Sequence, residues 1–134
     1  MDEEITPGQL QELKDKFVAG QFADRTPMFV EQPFEVSIDG IVIRGRMDAV
    51  FRDESGWHIV DWKTGQLPSR ADMRYLTMQL AVYRIAWAQL QGIDPDEIHA
   101  SFYYVRYDKL SSADNLPSER EIAETLRLAA QPLE

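Results

Sequence analysis

The side chains best suited to chemistry lie in two short runs. Asp61 and Lys63 stand two apart within WHIVDWKT, and Asp48 lies in the preceding run IVIRGRMDAVF. Both runs have the composition of β-strands, in which residues two apart project from one face, so Asp61 and Lys63 converge. The turn residues Asp53 to Gly56 pair the runs antiparallel, and counting back from that turn brings Asp48 within roughly one register step of Asp61. Two carboxylates so placed repel, and either share a proton or bind a divalent cation. Hard oxygen ligands with waters completing an octahedron suit Mg²⁺ or Mn²⁺. A lysine beside such an ion is a cation next to a phosphate, placed to orient or help deprotonate an attacking water, or to stabilise charge on the phosphorane. The chemistry implied is phosphodiester hydrolysis. The competing interpretation is a strand-surface network of Asp–Lys salt bridges, worth little. Against it, Ile59 and Val60 precede Asp61, and Val50 and Phe51 follow Asp48, so the acids intrude into buried strands where an unpaired charge is expensive.

Other polar groups are less specific. Trp62 points away from Asp61 and Lys63, so its ring belongs to the core, while its main-chain carbonyl lies between them and is a candidate metal ligand. Tyr75, Gln79 and Tyr83 recur every four residues and lie along one helix flank that starts at Arg70 and Arg74. Such a flank can touch DNA through phosphates or base edges, although an aromatic stripe at this spacing is also ordinary core. Glu31 is either a further acid near the pair or a solvated strand-edge residue, with the second favoured. His58 and His99 lie in strands without matching partners and read as structural.

The elements that position these groups follow from pattern. Thr6-Pro7 is an N-cap followed by proline at the first helical position, and Leu10, Leu13, Phe17 and Val18 follow at helical spacing. FVEQPFEVSI, the turn Asp39-Gly40 and IVIRGRMDAVF form a hairpin, and WHIVDWKT adds a third antiparallel strand. Arg70 to Leu90 contains no Gly or Pro and carries Leu76, Leu80, Tyr83, Trp87 and Leu90 on one stripe, which predicts a long helix ending at Gly92. IHASFYYVR reads as a fourth strand, then a polar loop, then an amphipathic helix from Pro117 to Ala130. The order αβββαβα, without repeats or linkers, predicts a single α/β or α+β domain over residues 1–134.

Composition narrows the function classes. The 134 residues include no Cys, which excludes disulfides and Cys-ligated zinc or iron–sulfur clusters and suits a cytoplasmic protein. No apolar run is long enough to span a bilayer, and the acidic start MDEEITPGQL lacks the features of a signal peptide, so no membrane association is expected. The net charge of −9 is uneven: −5 over residues 1–35, −3 over 112–134, and −1 between them. The middle is thus almost neutral, and Arg70, Arg74 and Arg84, against Asp72 alone, make a modest basic strip if they share a helix; the alternative is ordinary solvated charge.

Three motifs carry a resemblance. Gly45-Arg46-Met47-Asp48, Asp61-Trp62-Lys63-Thr64-Gly65 and Gln79-Leu80-Ala81-Val82-Tyr83 resemble, in order, the G-x-x-D, D-[WY]-K-T and Q-x-x-x-Y motifs of the PD-(D/E)XK nuclease superfamily, in its RecB/AddA-like branch. The similarity runs from about Leu13 to Lys109 and is nearest in character to nuclease domains at the C-terminus of UvrD/PcrA-like helicases of the AdnB or AddA type. It implies a restriction-endonuclease-like αβββαβ core, a central mixed sheet flanked by helices. It further implies Asp48, Asp61 and the Trp62 carbonyl as metal ligands for Mg²⁺ or Mn²⁺. Lys63 becomes the catalytic lysine, and Gln79, Tyr83, Tyr75 and Arg74 the DNA-binding residues. The implied partners are DNA and a fused helicase motor, in end processing and recombinational repair at the nucleoid. Relatives in this branch usually add a metal-ligating His on an upstream helix, and residues 1–30 contain none. The resemblance therefore implies a C-terminal piece of a larger helicase-nuclease, binding metal weakly and cutting poorly alone, or a nuclease-like DNA-guiding or docking domain. The missing cysteines place it with relatives that lack an iron–sulfur cluster.

Overall fold

The computed structural model describes residues 6–112 and 115–130. The first helix, α1 (Pro7–Ala19), starts from a reciprocal cap: the Thr6 side chain accepts the Gln9 N–H at 3.1 Å, and the Gln9 side chain accepts the Thr6 N–H at 3.0 Å. The hairpin of β1 (Phe29–Ile38) and β2 (Ile41–Asp53) turns at Asp39-Gly40, whose φ values of 51° and 78° match a two-residue turn with both central residues left-handed, a conformation easiest for glycine. A second tight turn leads to β3 (Gly56–Lys63). The long helix α2 (Arg70–Gln91) is capped by Ser69, whose hydroxyl accepts the Asp72 N–H at 3.2 Å. It crosses to β4 (Ile98–Tyr104), and α3 (Glu119–Ala130) closes the described chain.

The sheet order is β1-β2-β3-β4-β5, antiparallel except for the parallel pair β3 and β4 that α2 connects. This is the mixed sheet with flanking helices expected of an α+β restriction-endonuclease-like fold. The expected polar loop after β4 is corrected: Lys109–Ser112 forms a fifth strand, β5, paired antiparallel with Ser101 to Tyr104. Only four residues long and mostly polar, it lacks the apolar signature of a strand and exists because the turn at left-handed Asp108 (φ 48°) folds it back onto β4.

Each face of the sheet has its own core. Met47, Ile59, Leu80, Phe102 and Ile122 pack together where α2 and α3 cover one face. Leu13, Phe22, Val60 and Tyr103 pack beneath α1 on the other. Trp62 lies on the α1 side, with its ring 5.5 Å from Phe17 and 5.4 Å from Phe22, so the indole is core as expected. Tyr103 donates to Asp108 at 2.5 Å, and the same carboxylate accepts the Gln21 N–H at 3.1 Å, tying the end of α1 to the β4–β5 turn. Among the described residues no helix is long and apolar enough to cross a membrane.

Candidate active site

A kink shared by β1 and β2 sets the site. Met47 and Val50 both belong to the α2-side core, whereas Ala49 and Phe51 lie on the α1 side, so the alternation of β2 breaks between Met47 and Ala49. The β1–β2 ladder drops one step at the same place, passing from Val30↔Ala49 to Gln32↔Met47 and leaving Glu31 and Asp48 unpaired. Glu31 absorbs the change with φ 47° and stays exposed, a solvated edge residue as expected. On the other edge of β2, the β2–β3 ladder ends at Ala49↔Val60, and continuing its register sets Asp48 against Asp61. There the Asp48 Oδ2 accepts the Trp62 N–H at 2.9 Å. A residue's N–H and C=O leave a strand on the same side, so the Trp62 carbonyl also faces the gap beside Asp48.

Asp61 is 7% exposed, and the Lys63 Nζ lies 2.9 Å from its Oδ2. The lysine also sits over the Phe102 ring, 5.0 Å from its centroid. Burial, reinforced by the hydrogen bond to Asp48, pushes the Asp61 carboxyl up to about 6, with Lys63 opposing the rise. The structure thus brings Asp48, Asp61, Lys63 and the Trp62 carbonyl to one point. Among the described residues, no group of three or more His, Cys, Asp or Glu side chains could hold a metal. Two carboxylates and a carbonyl, one acid strained by the other, still fit a hard divalent cation that keeps several waters.

The α2 flank divides by depth. Tyr83 is buried, and the Gln79 side-chain amide donates to its hydroxyl at 2.7 Å. Burial and the charge of Asp61 raise the Tyr83 hydroxyl well above the ordinary tyrosine range. Tyr75 is 76% exposed, and Arg70 and Arg74 are exposed with it. Arg70, Arg74 and Arg84 all lie on α2, as the basic strip requires, but at different depths. Arg84 is withdrawn from Arg70 and Arg74, its side chain 17% exposed and 4.0 Å from Asp96.

The sequence does not single out Phe34 and Tyr104, and the packing role of the motif glycine Gly45 is not legible there. Gly45 stands opposite Phe34, and a Cβ there would meet the Phe34 Cζ at 2.7 Å, so the missing side chain lets that ring lie across β2. Phe34 then packs edge-on against Tyr83 at 5.7 Å, linking the glycine of the first motif to the Gln79–Tyr83 pair of the third. Tyr104, level with Lys63 across the parallel ladder, has its hydroxyl raised by burial and by the charge of Asp61. The turn chemistry could have placed Phe34 opposite Gly45, but nothing local announces a parallel partner for β3.

The mixed sheet thus brings two acids and a lysine together where the β2–β3 ladder ends. The chain matches the PD-(D/E)XK nuclease superfamily over residues 4–133 and belongs to it. Proteins of this superfamily hydrolyse phosphodiester bonds and generally use divalent metal ions. The chain is 37% identical over 71 residues to the Gene 69 protein of Mycobacterium phage D29, an alignment covering 53% of this chain and 24% of the phage protein. It also resembles the crystal structure of SSO0001, with a TM-score of 0.48 and 20% identity over 94% of this chain and 62% of the other. The chain therefore spans less than two thirds of either relative.

Proposed function

We propose that this protein hydrolyses phosphodiester bonds in DNA with a bound Mg²⁺ or Mn²⁺. The observation that carries the reading is the meeting of Asp48, Asp61 and Lys63 at one point, with Lys63 2.9 Å from a buried carboxylate. Asp48, Asp61 and the Trp62 carbonyl would hold the ion, which supplies Lewis-acid stabilisation of the phosphate and a more acidic water. Lys63 holds a positive charge at the reacting centre; a compact ammonium there orients the attacking water and offsets charge growing on the phosphate oxygens. Asp61 fixes the lysine, and the Trp62 N–H fixes one oxygen of Asp48, leaving its other oxygen free of that bond. Gln79, held by Tyr83, and Arg74 and Tyr75 nearer the start of α2 are the groups that would meet DNA.

The motif resemblance supports a finer placement beside a UvrD/PcrA-like helicase motor in end processing and recombinational repair. Co-purification of tagged full-length protein with motor activity tests that part separately. The chemistry is tested by titrating Mn²⁺ into the wild type and Asp61→Ala, then assaying both, and Lys63→Ala, on end-labelled single- and double-stranded DNA. Metal-dependent cutting that both substitutions abolish, with Mn²⁺ binding lost only in Asp61→Ala, is the expected result. Flat titrations for the wild type together with retained DNA binding would overturn it and favour a DNA-guiding role.

A further inference from the structure

Lys63 has a second neighbourhood. It borders a groove of about 460 Å³ that is also lined by Leu67 and Pro68 from the β3–α2 connection, Tyr75 and Leu76 from the start of α2, and Tyr104 from the end of β4. The lining is more apolar than polar, and the volume lies in the lower range of small-ligand pockets. Its outer wall is pinned, because the Tyr107 hydroxyl donates to Gln66 in the same connection. Asp72 also borders the groove, but its carboxylate accepts the Ser69 hydroxyl at 3.0 Å as part of the α2 cap.

Tyr75 is the residue the fold leaves unused. It is 76% exposed, and among the described residues it has no hydrogen-bond partner and no aromatic neighbour. Leu67, which lines the same groove, is 41% exposed. A flat aromatic face and an aliphatic wall, open to solvent and adjoining a lysine at a phosphate-handling centre, match the two halves of a nucleotide. The cationic end suits phosphate and the apolar slot suits a base. Eight residues separate Tyr75 from Tyr83, about 12 Å along the helix, so the slot lies within a few nucleotides of the acids. A base in a duplex has both faces covered by its neighbours and cannot enter a slot of this size; an unpaired one can.

Building on the nuclease reading above, we infer that this groove seats one unpaired nucleobase of the strand being cut, stacked on Tyr75, and that it confers preference for single-stranded or frayed DNA. Stacking uses the π-face common to all bases, so the preference is for strand state rather than sequence.

The test is fluorescence anisotropy of labelled oligothymidylate and of a matched duplex, using the 134-residue chain with Ca²⁺ supplied in place of a metal that supports cutting. The single strand should bind about tenfold more tightly than the duplex, Tyr75→Ala should remove about tenfold of single-strand affinity, and Tyr75→Phe should stay within about twofold of wild type, because the ring and not the hydroxyl does the stacking. An abasic nucleotide stepped along the strand should reproduce the Ala loss at one position and add nothing in the variant. Tyr75 is exposed, so these variants leave the core untouched. Equal affinity for duplex and single strand, an unchanged affinity in Tyr75→Ala, or an equal loss in Tyr75→Phe would overturn the inference. The two levels separate cleanly. Metal-dependent cutting with Tyr75-independent binding removes the base seat and keeps the nuclease, whereas Tyr75-dependent binding without any metal-dependent cutting does the reverse.

Discussion

Replacing Asp61 with Asn should stabilise the metal-free protein while removing its response to metal. Asp61 is 7% exposed and shares a hydrogen bond with Asp48. Raising a carboxyl from 3.8 to about 6 corresponds to about 3 kcal/mol against the ionised form. Its folded-state value lies above the unfolded one. The penalty is therefore absent below about pH 4, grows as pH rises through 6, and is complete above 7. An Asn side chain keeps an acceptor for Lys63 but loses the charge–charge part of that 2.9 Å contact, which offsets some of the gain. The net expectation at pH 8 is a gain of about 1–2 kcal/mol, read as a melting temperature about 5 °C higher, and no gain at pH 4. Adding Mn²⁺ at about 100 times its dissociation constant should stabilise the wild type by about 2.7 kcal/mol, reversing the order, and should leave the Asp61→Asn variant nearly unmoved. Thermal unfolding by circular dichroism at both pH values, with and without Mn²⁺, decides it. If Asp61→Asn is less stable by the same margin at pH 4 and pH 8, the carboxylate is held by Lys63 rather than penalised by burial and by Asp48. Equal Mn²⁺ shifts in both proteins would place the metal elsewhere.

Gly45→Ala should destabilise by about 1–3 kcal/mol, because the new Cβ falls 2.7 Å from the Phe34 Cζ; Phe34→Leu in the same chain should recover much of the loss, as measured by urea unfolding. Glu31→Gly should stabilise by about 1 kcal/mol by relieving the left-handed backbone at φ 47°, whereas Glu31→Val should destabilise by at least as much; the opposite order would show that the side chain and not the kink matters. Burial, with Arg25 and His99 adding to it, lowers His58 to about 4, so the ring is neutral in the fold and stability is lost as pH falls from 6.5 toward 4. The full effect is ~3 kcal/mol, and partial exposure of the ring reduces it to about half. Replacing His58 with Gln, which retains a partner for the Ser101 hydroxyl now 2.8 Å away, should flatten that part of the stability–pH curve.

Much of this architecture is legible in the sequence because its signals are local and rigid. A strand alternates with a period of two, so Asp61 and Lys63 must share a face, and Trp62 must take the other. The turns at Asp39-Gly40 and at Asp53 to Gly56 set the antiparallel registers, and the uninterrupted apolar stripe from Arg70 onward sets α2 within one residue of its observed end at Gln91. What stayed hidden depends on distant partners. β5 has no strand signature and is made by β4; Tyr104 joins the site only because β3 and β4 pair in parallel through a 22-residue helix.

The kink at Glu31 and Asp48 shows why the carboxylate pair needed more than periodicity. Along a regular β2, the residues of the Gly45 and Met47 phase face α2, and Asp48 would point under α1 with Ala49 displaced in turn. Both strands change phase together at one unpaired step, which keeps the β1–β2 ladder intact on either side while turning Asp48 toward Asp61. The conformational strain sits on an exposed glutamate at the sheet edge, outside the core that must stay packed. Gly45 and Phe34 brace the same region from the α2 side, through Tyr83 to Gln79. The three motifs are therefore one mechanical unit. The first turns an acid inward and leaves room for a ring, the second supplies the other acid and the lysine, and the third rests on that ring and carries its polar edge to the site. A substitution that straightens β2 should disable the acid pair without touching either carboxylate.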